Sequence, residues 1–539
     1  LKLARGWAGL GGAHGHAPGA AARWDRAVSE ARPPHGLRRM GFAMRTRAEG
    51  APPPVAIGID LGTCYSRVGT WKDGDVLVIP NERGRLATPS VVAFTEQCVL
   101  VGEAALEQAN INLENTIFAP QRLIGSKFEN PWVQWHSRTW PSRVVRGAGD
   151  SPMIRVDDRG KERLLRPEEI VTLLVAHLRR SAERYLGATA VEAVITVPAQ
   201  FGPHQRRALV EACKGARLKV LDLVKCPTAA AVAFCHTNSI GGRHTLLVCD
   251  MGGSYFNFSL LTVEEGVLTE RAVGTDYVDL DNCLLRFCIR DLKERFSVDI
   301  AGQQHSIQRL RSGCEIAKRR LSQFNQACIE VEGIANNVNY AVSISRGHFE
   351  DFCRSDIEPL LDSVDWCLED LGLDRENIEV VLVGGCARVP QVRRAVRTFF
   401  YGRAPHEVLR PDHAAVLGAS VYVALLSGAK AEGGLAKGLR QLQLLQVMPW
   451  CSTAGDADAA AGVASAAAPA ATTVAASEPG SSAAAAAARS SDELEPAPCN
   501  EAIGCPRPPS TRVSRPASVR TWAPAGGKCN GREPPLTAL

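Results

Sequence analysis

VAIGIDLGTCYS, Val55 to Ser66, is the stretch whose reading decides the fold. The run Val55 to Asp60 is short, apolar and β-rich, and it ends in a glycine turn, so it reads as a buried strand with Asp60 at the sheet edge. Placed there, the Asp60 carboxylate can organise Mg²⁺ through water, and the backbone amides of Leu61, Gly62, Thr63, Cys64 and Tyr65 can face a phosphate. Gly62 permits close backbone approach, and the Thr63 hydroxyl adds a donor.

Working outward, the arrangement recurs. The strand-like HTLLVCD, His244 to Asp250, runs into Met251-Gly252-Gly253-Ser254, again an acid followed by glycines. Two such turns on facing lobes make a phosphate clamp. A third strand, IEVVLVGG (Ile378 to Gly385), ends without an acid; Gly384 and Gly385 let the backbone lie against a flat ring, and Arg388 can stack over one. In EIAKRRLS, Glu315, Lys318, Arg319 and Ser322 share one helical face that could hydrogen-bond a ribose and cover a base. A further strand, VEAVITVP (Val191 to Pro198), follows PEEIVTLLVAHLRRSAERYLG (Pro167 to Gly187), a helix pattern with Pro in its first turn and Gly at its end. Strands alternating with such helices predict an α/β fold, and the repeated strand-and-glycine unit predicts two related lobes around one cleft.

The composition agrees. Of 539 residues 45% are hydrophobic and 22% charged, which suits a globular core rather than wholesale disorder. With 62 Lys+Arg against 57 Asp+Glu the net charge is only +5, so neither nucleic acid nor an anionic membrane is an expected partner. The 17 cysteines are odd in number and scattered without C-x-x-C spacing, which suits neither a disulfide scaffold nor a zinc site and points to a reducing compartment, the cytoplasm or the nucleus. No run of residues is long and apolar enough to span a membrane.

Taken in order, AIGIDLGTCYS, NERGRLATPSVVAF, RLIG (Arg122 to Gly125), VITVPAQF, PTAAAVAF, DMGGS, EIAKRRLS, VLVGGCARVP and RPDHAAVLGAS resemble the 70-kilodalton heat-shock chaperone family, within the actin and sugar-kinase ATPase fold. The match runs from about Ala56 to Gly428, and Leu442 to Pro449 resembles the family's interdomain linker. Sugar-kinase and actin readings share the fold but leave RLIG, PTAAA and the linker-like piece unexplained. The resemblance implies a two-lobed actin-like ATPase unit that binds ATP or ADP with Mg²⁺ in the cleft. Carried over by motif, Asp60, Gly62, Thr63, Cys64 and Tyr65 form one phosphate loop, and Asp250, Gly252 and Gly253 the other. Glu315, Lys318, Arg319 and Ser322 match the adenosine face, Gly384, Gly385 and Arg388 the base-and-ribose loop, and Asp412 a neighbouring acid. Pro198 and Arg206 match residues of interlobe signalling. J-domain co-chaperones and nucleotide-exchange factors are the implied partners of an expected monomer.

The departures gather around the γ-phosphate. Gln121 stands where the family has a Lys that orients the attacking water, so a hydrogen bond remains but the cation is gone. Against the family's D-L-G-G-G-T-F-D, this chain has Ser254 for the third glycine, Tyr255 for the Thr and Asn257 for the second Asp. Cys226 replaces the Glu before P-T-A-A-A, and GTDYVDLDN (Gly274 to Asn282) lacks the family's glycine pair. The expectation is a slow ATPase built on Asp60 and Asp250, in which nucleotide binding outlasts hydrolysis. Alternatives are a noncatalytic scaffold for co-chaperones and a decaying copy.

The flanks read differently. Residues 1–54, rich in Arg, Ala, Gly and Pro, are expected to be a disordered leader, 55–430 the ATPase unit, 431–450 linker-like, and 451–539 a disordered Ala-, Ser- and Pro-rich tail without a peptide-binding domain. Unfolded proteins would then be reached only indirectly.

Overall fold

A computed structural model describes residues 53–427, apart from 239–241, 265, 407 and 409. The readings of the leader, the linker-like piece and the tail lie outside the described residues.

The expected strands form, at nearly the expected bounds. The first sheet holds β1 (Val55–Leu61), β2 (Tyr65–Lys72), β3 (Asp75–Ile79), β4 (Ala190–Val197) and β5 (Lys219–Lys225), in the order β5-β4-β1-β2-β3, with the two-residue strand Thr88–Pro89 also paired to β2. β1 runs parallel to β4 and antiparallel to β2. The second sheet holds β6 (Arg243–Met251), β7 (Tyr255–Glu264), β8 (Val267–Tyr277) and β9 (Glu379–Val383), in the order β8-β7-β6-β9, with β6 antiparallel to β7 and parallel to β9. Each sheet is thus a three-stranded meander whose first strand takes a parallel partner from farther along the chain. That shared plan is the internal repeat foreseen from the glycine turns. It puts the carboxyl ends of β1, β6 and β9, with Asp60, Asp250 and Gly384, at sheet edges, where open α/β folds bind ligands.

Each sheet has its own apolar core. Ile57, Ile59, Leu174, Leu178 and Ile195 belong to the first, and Phe256, Phe258, Leu284, Leu310 and Leu382 to the second. Helix α1 (Pro167–Leu186) packs in the first lobe and ends where Gly187 adopts φ 65°, the left-handed stop expected of it. α2 (Cys226–Asn238) follows β5, while α3 (Leu280–Phe296) and α4 (Gln304–Leu321) pack on each other and share the second core. The final described helix, α5 (Ala414–Leu426), lies on the first sheet and crosses α2. The crossing is close because residue 418 is glycine: a Cβ there would stand 1.7 Å from the carbonyl oxygen of Ala229. The buried side chains of α2 reach both lobes, so this helix pair is their shared core.

Candidate functional site

Between the lobes lies a cleft of about 790 Å³, and its walls hold every nucleotide-site residue expected from the motifs, from Asp60 and Gln121 in the first lobe to Gly384 and Asp412 beyond the second sheet. Pro198 lines it as well. Arg206 does not; its guanidinium donates to the carbonyl oxygens of Phe201 and Leu223, ties within the first lobe.

The first turn is held from β4. The Thr196 hydroxyl donates to Asp60 Oδ1 at 2.9 Å and accepts from the amide of Leu61 at 3.2 Å. Burial pushes the Asp60 carboxyl above the usual carboxylate range, against the pull of Arg67. Asp250, at the end of β6, is pushed up to about 7 by burial and by the charge of Asp60. These two acids face one cleft, and the charge of Asp60 opposes the ionisation of Asp250. Gly384, at φ 88°, passes so close to the second turn that a Cβ would sit 2.3 Å from the carbonyl oxygen of Met251 and 2.7 Å from Asp250 Oδ1. The phosphate turns also meet across the cleft, with the Cys64 thiol packed where a Gly253 side chain would be.

On the side expected to take adenosine, Lys318 of α4 pairs with Asp281 of α3 at 2.8 Å. Burial opposes the charge of Lys318, but Asp281 outweighs it and holds the amine above the usual lysine range. Arg319 pairs with Glu315 at 2.6 Å and lies 5.0 Å over the Tyr65 ring, closing one lobe on the other. Arg388, expected to stack on a ring, pairs with Asp412 at 2.6 Å, a contact at the edge of the guanidinium that leaves its face open. Asp412 is held below the usual range by Arg388 and Arg67 despite burial.

The end of the cleft expected to take the γ-phosphate shows what the substitutions did. Buried Gln121 donates Nε2 to the Gly62 carbonyl at 2.6 Å, while its Oε1 has no partner. Ser254 takes an ordinary backbone conformation, so the lost glycine costs no strain, and its hydroxyl accepts from Arg122. Arg122 sits 5.8 Å from the Tyr255 ring, which meets Tyr277 at 6.3 Å; Trp132 and Trp135 flank Tyr277 from the first lobe. Asn257 spends Oδ1 on the amide of Ala199 and the hydroxyl of Thr275. Where the family's glycine pair is missing, Asp279 caps α3, accepting from the amides of Asp281 and Asn282 and pairing with Arg311 at 3.0 Å. That helix end, an anion site when free, already holds a carboxylate.

Motif reading missed Arg67, which faces Asp60 in the β1–β2 register, with Nη1 3.5 Å from Asp60 Oδ2 and Nη2 3.2 Å from Asp412 Oδ2. Counting outward across the turn of residues 62–64 would have found it, because the antiparallel pairing sets position 67 opposite 60. At Asp60 one oxygen takes the Thr196 hydroxyl and the other faces a guanidinium, and Asn257 has no oxygen to spare, so the donor set does not suit direct ligation of a Mg²⁺ ion there. Asp250 makes no ion pair among the described residues.

Comparisons with known proteins agree on one family. A family model described as Hsp70 protein matches residues 56–495. The chain is 39% identical over 399 residues to heat shock 70 kDa protein 2 of Paracoccidioides lutzii, covering 73% of this chain and 60% of the relative. It is 38% identical to heat shock cognate 70 kDa protein 3 of Dictyostelium discoideum, covering 70% and 61%. It is likewise 38% identical to a ribosome-associated molecular chaperone of Eremothecium gossypii, covering 73% and 64%. The chain therefore spans about three fifths of the length of these relatives.

Proposed function

This chain belongs to the Hsp70 family, and from that premise we propose that its two lobes form a nucleotide-holding module of a chaperone, binding ADP and ATP in the cleft while hydrolysing ATP slowly. One observation carries the reading: a single cleft keeps the whole adenosine side, Glu315, Lys318, Arg319, Ser322, Gly384, Gly385 and Arg388, while at its other end Gln121 ties its amide to Gly62 and brings no charge.

Chemically, the turn amides after Asp60 and Asp250 cradle phosphate oxygens and the α4 face orients the nucleoside. Asp60 and Asp250 are the acids able to orient a water. Phosphoryl transfer depends on positioning and on cations at the γ-phosphate, and losing one such charge costs about 10²- to 10³-fold in rate. The module's part in protein folding then runs through nucleotide-dependent contacts with J-domain co-chaperones or nucleotide-exchange factors.

Calorimetric titration with ADP and ATP, followed by single-turnover phosphate release, tests this. Binding with slow release is expected. Bound ATP with no release over hours would favour a second reading, a scaffold that holds nucleotide without turnover, to which the uncharged Gln121 also lends support. No binding of either nucleotide would overturn both.

A further inference from the structure

We propose that Arg67 is a resident cation of the cleft, doing beside Asp60 the charge balancing that a divalent ion would do, so that this protein holds ADP with little dependence on Mg²⁺. The inference rests on the nucleotide reading above.

Four features of the site converge on it. The backbone places Arg67, because β1 and β2 pair it with Asp60 and the cross-strand side chains share one face. Its guanidinium also reaches Asp412, so one cation joins the acid of the phosphate turn to the acid of the adenosine side. Its Nε is buried without a hydrogen-bond partner, which leaves a donor unspent. The side chain is only 12% exposed, in a cleft lined by Asp60, Asp250 and Asp412.

Charge and geometry then disfavour a metal at this point. A guanidinium is always protonated, so a dication approaching Asp60 meets a fixed positive charge at short range in a poorly screened setting. Mg²⁺ demands near-octahedral oxygen ligands and usually takes one or two carboxylates beside the substrate phosphates. Here Asp60 is already partnered. Arginine, in contrast, suits phosphate oxygens directly through paired, charge-assisted hydrogen bonds.

The test is calorimetric titration of the full chain with ADP, once in excess EDTA and once in MgCl₂. The wild type is expected to bind with affinities within about threefold of each other, and Arg67→Met to lose about tenfold or more in EDTA while recovering in MgCl₂. Arg67→Lys, which keeps a cation, is expected to retain most of the EDTA affinity. A wild-type affinity that falls about tenfold in EDTA overturns the proposal, and so does Arg67→Met binding ADP in EDTA as the wild type does. Should Arg67→Met fail to fold, as a lost melting transition would show, the wild-type comparison alone decides. Absence of binding in both buffers refutes the nucleotide reading itself, an outcome distinct from binding that needs Mg²⁺.

Discussion

Lys225 and Glu270 form an ion pair at 2.5 Å, buried on both sides, that joins the last strand of the first lobe's sheet to the edge strand of the second's. The Thr228 hydroxyl also donates to Glu270, at 2.6 Å. Burial lowers the Lys225 amine's affinity for its proton, and Glu270 only partly restores it.

Breaking such a pair from one side strands a buried charge. Glu270→Gln should therefore destabilise the lobes by about 3 kcal/mol or more, whereas Lys225→Met combined with Glu270→Leu should cost much less. Denaturant unfolding of the two variants measures the difference. Equal losses would mean that the pair, rather than the orphaned charge, carries the stability.

Asp250 makes stability depend on pH. Its folded-state value of about 7 lies above the ordinary 3.8, so the folded chain holds this proton more tightly than the unfolded one. The contribution is fully present below about 3.8 and is lost as pH rises through about 7. In EDTA, Asp250→Asn should match the wild type near pH 4 and exceed it at pH 8, by roughly 4 kcal/mol at most. Melting curves across that range give the crossover, and parallel curves would contradict it.

Gln121→Lys restores a cation beside Gly62. With the adenosine side in place, single-turnover phosphate release should rise by about tenfold or more. No gain would move the block to Tyr255 and Asn257.

The two glycines after β9 should behave differently. Gly384→Ala meets both an unfavourable φ and the Met251 carbonyl, so about 2 kcal/mol of stability and most nucleotide affinity should go. A Cβ at Gly385 meets nothing within 4 Å, so Gly385→Ala should leave the melting temperature unchanged. Its effect on ADP affinity then reports whether a ring lies against that backbone.

Much of the site was legible because its pieces are local. Asp60 and Gly62, Asp250 and Gly252, and Glu315 with Lys318 announce themselves by short spacing at a strand end or on one helical face. Less legible was what each side chain would pair with. The pairing of Arg388 with Asp412 is not marked in either motif, and Ser254 reads as strain until its ordinary backbone and its bond to Arg122 are seen. The role of Asp279 as the cap of α3 depends on where that helix begins, which composition does not mark.

Alternation, glycine turns and helical periodicity are properties of neighbours along the chain, so sequence alone determined the strands, the two-lobed repeat, the family and the motif residues of the cleft. Which charges are buried together was decided only by packing. Lys225 finds Glu270 because the lobes close on each other, and Arg67 reaches Asp412 because the last described helix returns to the first sheet. The energy of a buried charge depends on its whole surroundings rather than on its neighbours in sequence, and those surroundings exist only once the chain has folded.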